Sequence, residues 1–118
     1  MNGPREKRDL HGWLVLDKNV GETSTAAVAA LKRLFRAKKV GHAGTLDPLA
    51  SGVLPIAFGE ATKTVSFVMD GEKTYRFKVR WGIATDTDDT EGRVLSENPA
   101  RPSPEAVRAL LPLSLIHI

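Results

Sequence analysis

A chain of 118 residues, 42% hydrophobic and 26% charged, has the composition of one small globular domain. It has no cysteine, which excludes disulfides and thiolate metal sites, and its histidines His11, His42 and His117 show no metal-ligand spacing, so no metal is expected. The formal charge is only +3, so the placement of the cations matters more than their sum. No apolar run is long enough to span a membrane, and the charged opening, residues 1–9, lacks the pattern of a secretory signal. A cytoplasmic protein is the expectation.

The apolar run Gly12, Trp13, Leu14, Val15, Leu16, Asp17 reads as a buried strand, and residues 18–22 as a loop. Thr23, Ser24 or Thr25 can cap a helix whose apolar positions Ala27, Val28, Leu31, Leu34 and Phe35 recur at helical spacing, with its end expected near Lys39. Residues 53–58 read as a strand in which Pro55, lacking an N–H, argues for an edge or a bulge. A short helix is expected over 61–69. Residues 74–81 alternate cleanly, with Tyr75, Phe77, Val79 and Trp81 on one face and Thr74, Arg76, Lys78 and Arg80 on the other, which predicts a strand.

An acidic turn follows over 85–92, with 93–96 returning as an antiparallel strand. It is not a calcium loop of the EF-hand type, because the sixth position counted from Asp86 is Glu91 where that loop needs glycine. Ser103, Pro104 and Glu105 are a helix start, and Pro112 is expected to stop that helix. Basic residues gather in three places: Arg5, Lys7 and Arg8; Lys32, Arg33, Arg36, Lys38 and Lys39; Arg76, Lys78 and Arg80. Such clusters suit phosphate contacts, and equally suit solvated faces.

Between the first helix and the second strand lies the run Gly41, His42, Ala43, Gly44, Thr45, Leu46, Asp47, Pro48, Leu49, Ala50, Ser51, Gly52, continuing through Leu54 and Pro55 to Gly59, Glu60, Ala61, Thr62, Lys63. Glycine permits sharp turns, and the residue before proline is pushed toward extended geometry, so Asp47 would sit at a constrained, accessible bend. That is how a fold presents a nucleophile; it is also how a chain merely changes direction.

The run resembles the nucleophile motif of the TruB family of tRNA pseudouridine synthases, Gly-His-x-Gly-x-Leu-Asp-Pro-x-Ala-x-Gly followed by Leu-Pro and Gly-x-Ala-Thr-Lys. The resemblance extends upstream over 12–25 and downstream through Tyr75 to Gly92. It implies an α/β (α+β) fold, a mixed, largely antiparallel sheet with flanking helices like that of pseudouridine synthases, truncated here. The implied reaction detaches uracil from ribose, rotates it and rejoins it through carbon, with no cofactor consumed, on the T-loop uridine (position 55) of tRNA.

Residue by residue, the resemblance makes Asp47 the nucleophile, attacking either the uracil ring or the sugar carbon. Tyr75 would pack on the target uracil and assist proton transfer, although by alternation alone it reads as a core aromatic beside Phe77 and Val79. His42 would stack beside the displaced base, and Asp89, otherwise a turn aspartate, would orient a family arginine that lies downstream of this chain. Lys18 falls in the family's first motif and would support the loop or contact RNA; Asn19 and Glu22 depart from that motif, where proline and an apolar residue are usual.

The implied organisation is a basic arm over 1–9, the N-terminal portion of the catalytic domain over 10–112, and a tail over 113–118. The tail reads as translated adapter sequence, or else as a native apolar strand. Without the arginine and the later strands, the isolated chain is expected to lack turnover and to expose an unpaired sheet edge; the full-length form is expected to be monomeric. A short RNA-binding module that has lost catalysis is the rival reading, and a structural domain without RNA partners a third.

Overall fold

The computed structural model describes residues 6–116, with side chains through Leu113. Arg5 of the first basic cluster, His117 and the end of the tail lie outside the described residues. Two compact units follow one another, Met1–Lys73 and Thr74–Ile118. Helices and antiparallel strands mix, as an α+β fold requires.

The first unit is built on a three-stranded antiparallel sheet of β1 (Gly12–Lys18), β2 (Val40–His42) and β3 (Gly52–Phe58), in the order β1-β3-β2. Its register runs from Gly12 opposite Phe58 to Lys18 opposite Gly52, with Val40 to His42 facing Phe58 to Ile56 on the other side. Helix α1 (Ser24–Phe35) covers one face. Leu54, Ile56 and Phe58 there pack with Ala27 and Ala37, and Leu14, Leu16, Leu31, Phe35, Val40 and Leu46 close round them. Phe35 meets Phe58 edge to face, with ring centroids 5.4 Å apart. On the opposite face Ala57 is buried, beside Gly41 under Thr62, while Trp13, Val15 and Val53 are exposed. β1 is therefore a half-buried edge strand, where the continuous apolar run predicts full burial.

Pro55 sits on the central strand rather than at an edge or bulge. Its carbonyl accepts from Ala43 N, so its N atom also faces the β2 side. β2 ends at His42, one position short of Pro55. Ala43 and Pro55 thus keep one of the two bonds of such a pair, the missing donor falls at the end of β2, and the β1 ladder does not need it.

Thr23 caps α1, its hydroxyl accepting from Ala26 N at 3.0 Å. The helix stops at Phe35, four residues before Lys39, because Arg36 turns left-handed at φ 52°. Arg36 N donates to Arg33 O and Ala37 N to Lys32 O, which satisfies the final carbonyls, and Ala37 drops into the core at 1% exposure. Glycine usually makes this turn, so an arginine there leaves no signal in the sequence. After β3, Gly59 bends the chain at φ 58°, where a β-carbon would collide with Leu10 O and the His11 ring. A 3-10 helix (Gly59–Thr64) and helix α2 (Val65–Met69) then occupy the expected helical stretch.

The second unit holds the hairpin of β4 (Ile83–Thr85) and β5 (Val94–Glu97), then helix α3 (Pro104–Ile116). Residues 74–81 form no strand. Tyr75, Phe77, Val79 and Trp81 are 42–69% exposed. Alternation supplies a face, but a strand also needs a neighbour to take its N–H and C=O groups, and among the described residues none pairs with this stretch. The returning strand exists, paired instead with β4. Ser103 Oγ accepts from Ala106 N at the start of α3. The helix does not stop at Pro112 but continues through it: proline's φ is helical, and what is lost is the bond to the Arg108 carbonyl.

Candidate active-site loop

Residues 43–51 link β2 to β3. Ala50 N donates to Asp47 O at 2.9 Å, closing a turn with Asp47 first and Pro48 second, the positions those residues favour. Both neighbours of Asp47 are tied down. On one side, Ser24 Oγ accepts from Leu46 N and donates to Leu46 O, both at 3.1 Å. On the other, Gly21 N donates to Pro48 O at 2.6 Å. The Asp47 side chain itself is exposed and, among the described residues of the first unit, has no hydrogen-bond or ion-pair partner. Its backbone is fixed and its carboxylate is left available.

Lys18, the last residue of β1, is fully buried. A buried ammonium is costly unless its protons are engaged, and Nζ donates to Asn19 O at 2.8 Å and Glu22 O at 2.6 Å. Those carbonyls bracket the loop whose Gly21 N holds Pro48. Lys18 therefore reaches the Asp47 turn through the backbone of residues 19–22. His42, half-buried at the end of β2, donates from Nδ1 to Gly44 O at 2.8 Å; a carbonyl can only accept, so the bond fixes where that proton sits and how the ring is turned.

In the second unit Tyr75 is 55% exposed, so it is not the core aromatic that its alternation suggests. Asp89 organises the acidic turn. Its Oδ1 accepts from Thr87 Oγ1 at 2.5 Å and Glu91 N at 2.9 Å, and its carbonyl accepts from Thr85 Oγ1 at 2.9 Å. The Thr87 hydroxyl, then the Glu91 and Gly92 amides, hold its carboxyl below the ordinary value of 3.8. Asp86 Oδ1 accepts from Arg93 N across the turn, and a side chain at Gly92 would strike Thr87 and Asp86. The turn reading of Asp89 is thus visible in its hydrogen bonds.

Lys18, His42 and Asp47 belong to the first unit, Tyr75 and Asp89 to the second. Ser24 and Gly21 are the contributors that the sequence does not single out. Their trace is faint: three consecutive hydroxyl residues open α1 where one cap suffices, and Ser24 is the one buried, at 3% exposure. Among the described residues no three His, Asp or Glu side chains converge as a metal site, and no helix is long and apolar enough to cross a membrane.

Fold and loop together define an α+β protein that presents one aspartate on a clamped bend. The model of the TruB family pseudouridylate synthase N-terminal domain matches residues 32–113. The chain is 72% identical over 108 residues to tRNA pseudouridine synthase B of Rhodopseudomonas palustris and 69% identical over 108 residues to that of Nitrobacter winogradskyi, in each case covering 92% of this chain and 30% of the relative. It is 60% identical to that of Rhodospirillum rubrum over 111 residues, 94% of this chain and 36% of the relative. Among solved structures, a chain of an H/ACA ribonucleoprotein bound to a substrate RNA containing 2′-deoxyuridine aligns over 48% of this chain and 18% of its own length, with 48% identity and a TM-score of 0.46. The chain belongs to the TruB family, and it spans about 30% of the length of the first two relatives.

Proposed function

We propose that this chain is the nucleophile-bearing N-terminal part of a tRNA pseudouridine synthase, an isomerase acting on the T-loop uridine at position 55, with Asp47 as the attacking carboxylate. The observation that carries the reading is the clamp on both neighbours of Asp47, Ser24 on Leu46 and Gly21 on Pro48, beside a carboxylate with no partner among the described residues of its unit. Orienting a nucleophile before the substrate arrives removes an entropic part of the barrier. An aspartate that held its own turn through its side chain would accept from nearby amides, as Asp89 Oδ1 accepts from Glu91 N.

The remaining roles follow the family pattern. The uridine is flipped out of the RNA, His42 stacks beside the displaced base, and Tyr75 packs on the uracil ring. Lys18 acts by supporting the 19–22 loop, and Asp89 orients the family's downstream arginine. The reaction consumes no cofactor, and the full-length enzyme is a monomeric, cytoplasmic protein.

The test is isomerisation of an unmodified tRNA transcript by a chimera that joins residues 1–112 to the remaining two thirds of the Rhodopseudomonas palustris relative. Asp47→Asn should lower the rate by at least about a thousandfold, the scale of losing a covalent nucleophile. Equal isomerisation of uridine by the chimera with and without Asp47→Asn would sink the assignment.

A further inference from the structure

We propose that the end of the three-stranded sheet opposite the Asp47 turn is a second RNA-contact surface, gripping the phosphates of the substrate several nucleotides from the reacting uridine. This rests on the reading of the chain as a tRNA-modifying protein, and adds where the polyanion is held. Two of the three basic clusters, far apart in sequence, are joined there by the fold. Arg8 N donates to Arg36 O and Lys38 N to Arg8 O, a parallel bridge that lays the N-terminal arm against the turn after α1. The left-handed turn at Arg36 buries Ala37 and leaves Lys38 and Lys39 exposed, beside Lys32 and Arg33 in the last turn of the helix.

Arg8, Lys32, Arg33, Arg36, Lys38 and Lys39 therefore crowd one end of the unit, and among the described residues none forms an ion pair. No acid among the described residues lies within ion-pair distance of these six cations. Asp9 lies 3.7 Å from His11 Nε2, and Glu60 pairs with Lys63 at 2.6 Å; that lysine, with smaller contributions from His11 and Lys39, holds the Glu60 carboxyl below its ordinary value. Glu6 is the other acid of the arm. Two cations in the last turn of α1 suit the helix dipole, but that does not account for Arg8, Lys38 and Lys39. Concentrated, unneutralised charge opposes folding, and a bound polyanion relieves it while releasing counterions.

RNA is favoured over other polyanions by what borders the cations. Arg8 also lines an open cleft of about 240 Å³ with His11, Trp13, Phe35 and Phe58, and Trp13 is 42% exposed. Aromatic faces beside cations are what an unstacked base and its phosphates require. The register sets the distance to the turn. Gly12, Val40 and Phe58 lie at the basic end, and Lys18 and Gly52 at the Asp47 end, six residue steps or about 20 Å away. A ligand touching both ends must be a polymer.

The experiment is fluorescence-anisotropy titration of a labelled, unmodified tRNA transcript with the purified 118-residue chain at 50–300 mM salt. Lys38→Glu/Lys39→Glu should weaken binding at least about tenfold and reduce the log–log salt slope by about two, as expected for two lost phosphate contacts. Arg93→Glu/Arg108→Glu, the same change of net charge in the second unit, should cost less than about twofold. Circular dichroism of each variant checks that these exposed substitutions leave the fold intact. Equal losses in both double variants, or equal capture of anionic phosphatidylserine vesicles with the same sensitivity, would overturn the proposal. So would a wild-type chain that fails to bind at 50 mM salt. Binding that ignores Lys38→Glu/Lys39→Glu overturns the surface while leaving Asp47 untouched, because the nucleophile is judged by isomerisation.

Discussion

At the scale of single residues, the same chemical type is put to opposite uses. Asp47 and Asp89 are both exposed aspartates in turns, yet Asp89 spends its carboxylate on Thr87 and Glu91 whereas Asp47 gives only its carbonyl. Because hydrogen bonds lower the folded-state pKa of Asp89, its contribution to the turn is present above the ordinary aspartate range and fades as pH falls through the lowered value. In an NMR titration the Glu91 amide should therefore report a midpoint below the ordinary aspartate value, and a midpoint at or above that value would contradict the assignment. Ser24 offers a second handle. Ser24→Ala removes a buried hydroxyl that serves both polar groups of Leu46, so the chain should lose about 1–3 kcal/mol in denaturant melts and exchange the Leu46 amide faster. Unchanged exchange at Leu46 would mean that the clamp does not hold the Asp47 turn.

Elements obeyed their periodicity where a partner was at hand and not otherwise. β3 has a neighbour on each side and α1 over one face; residues 74–81 have the better alternation and form no ladder. A pattern of side chains cannot supply the backbone partners that make a strand. Hydrogen exchange should separate the two cases, with amides of 74–80 exchanging orders of magnitude faster than those of Leu54 and Ile56. Protection of 74–80 equal to that of β3 would show a ladder that this structure lacks.

For the whole molecule the exposed part of the sheet face and the 74–81 stretch both matter. Trp13, Val15 and Val53 in the first unit and Tyr75, Phe77 and Val79 in the second are large apolar side chains left in water. Monomeric proteins seldom tolerate so much. The purified chain should bind a hydrophobic dye and self-associate as concentration rises, seen by light scattering, whereas the chimera bearing the remaining two thirds should do neither. A chain that stays monomeric and dye-free at high concentration would show these surfaces to be innocuous.

The sequence by itself determined the family, through the ordered run from Gly41 to Gly52, and most of the local structure: β1, the start of α1, β3, the acidic hairpin turn and the Ser103 cap. These depend on neighbours a few residues away, which composition and spacing record. Tertiary structure alone decided what depends on distant partners. It set Pro55 in a central strand, at the end of β2 where only its carbonyl is used, and it stopped α1 at Arg36, because Ala37 gains a place in the core. It buried Lys18 on two carbonyls, turned Ser24 from a spare cap into a clamp on Leu46, and brought Arg8 alongside Lys38. Each is a contact between groups that the chain must fold to bring together, and no spacing along the sequence encodes it.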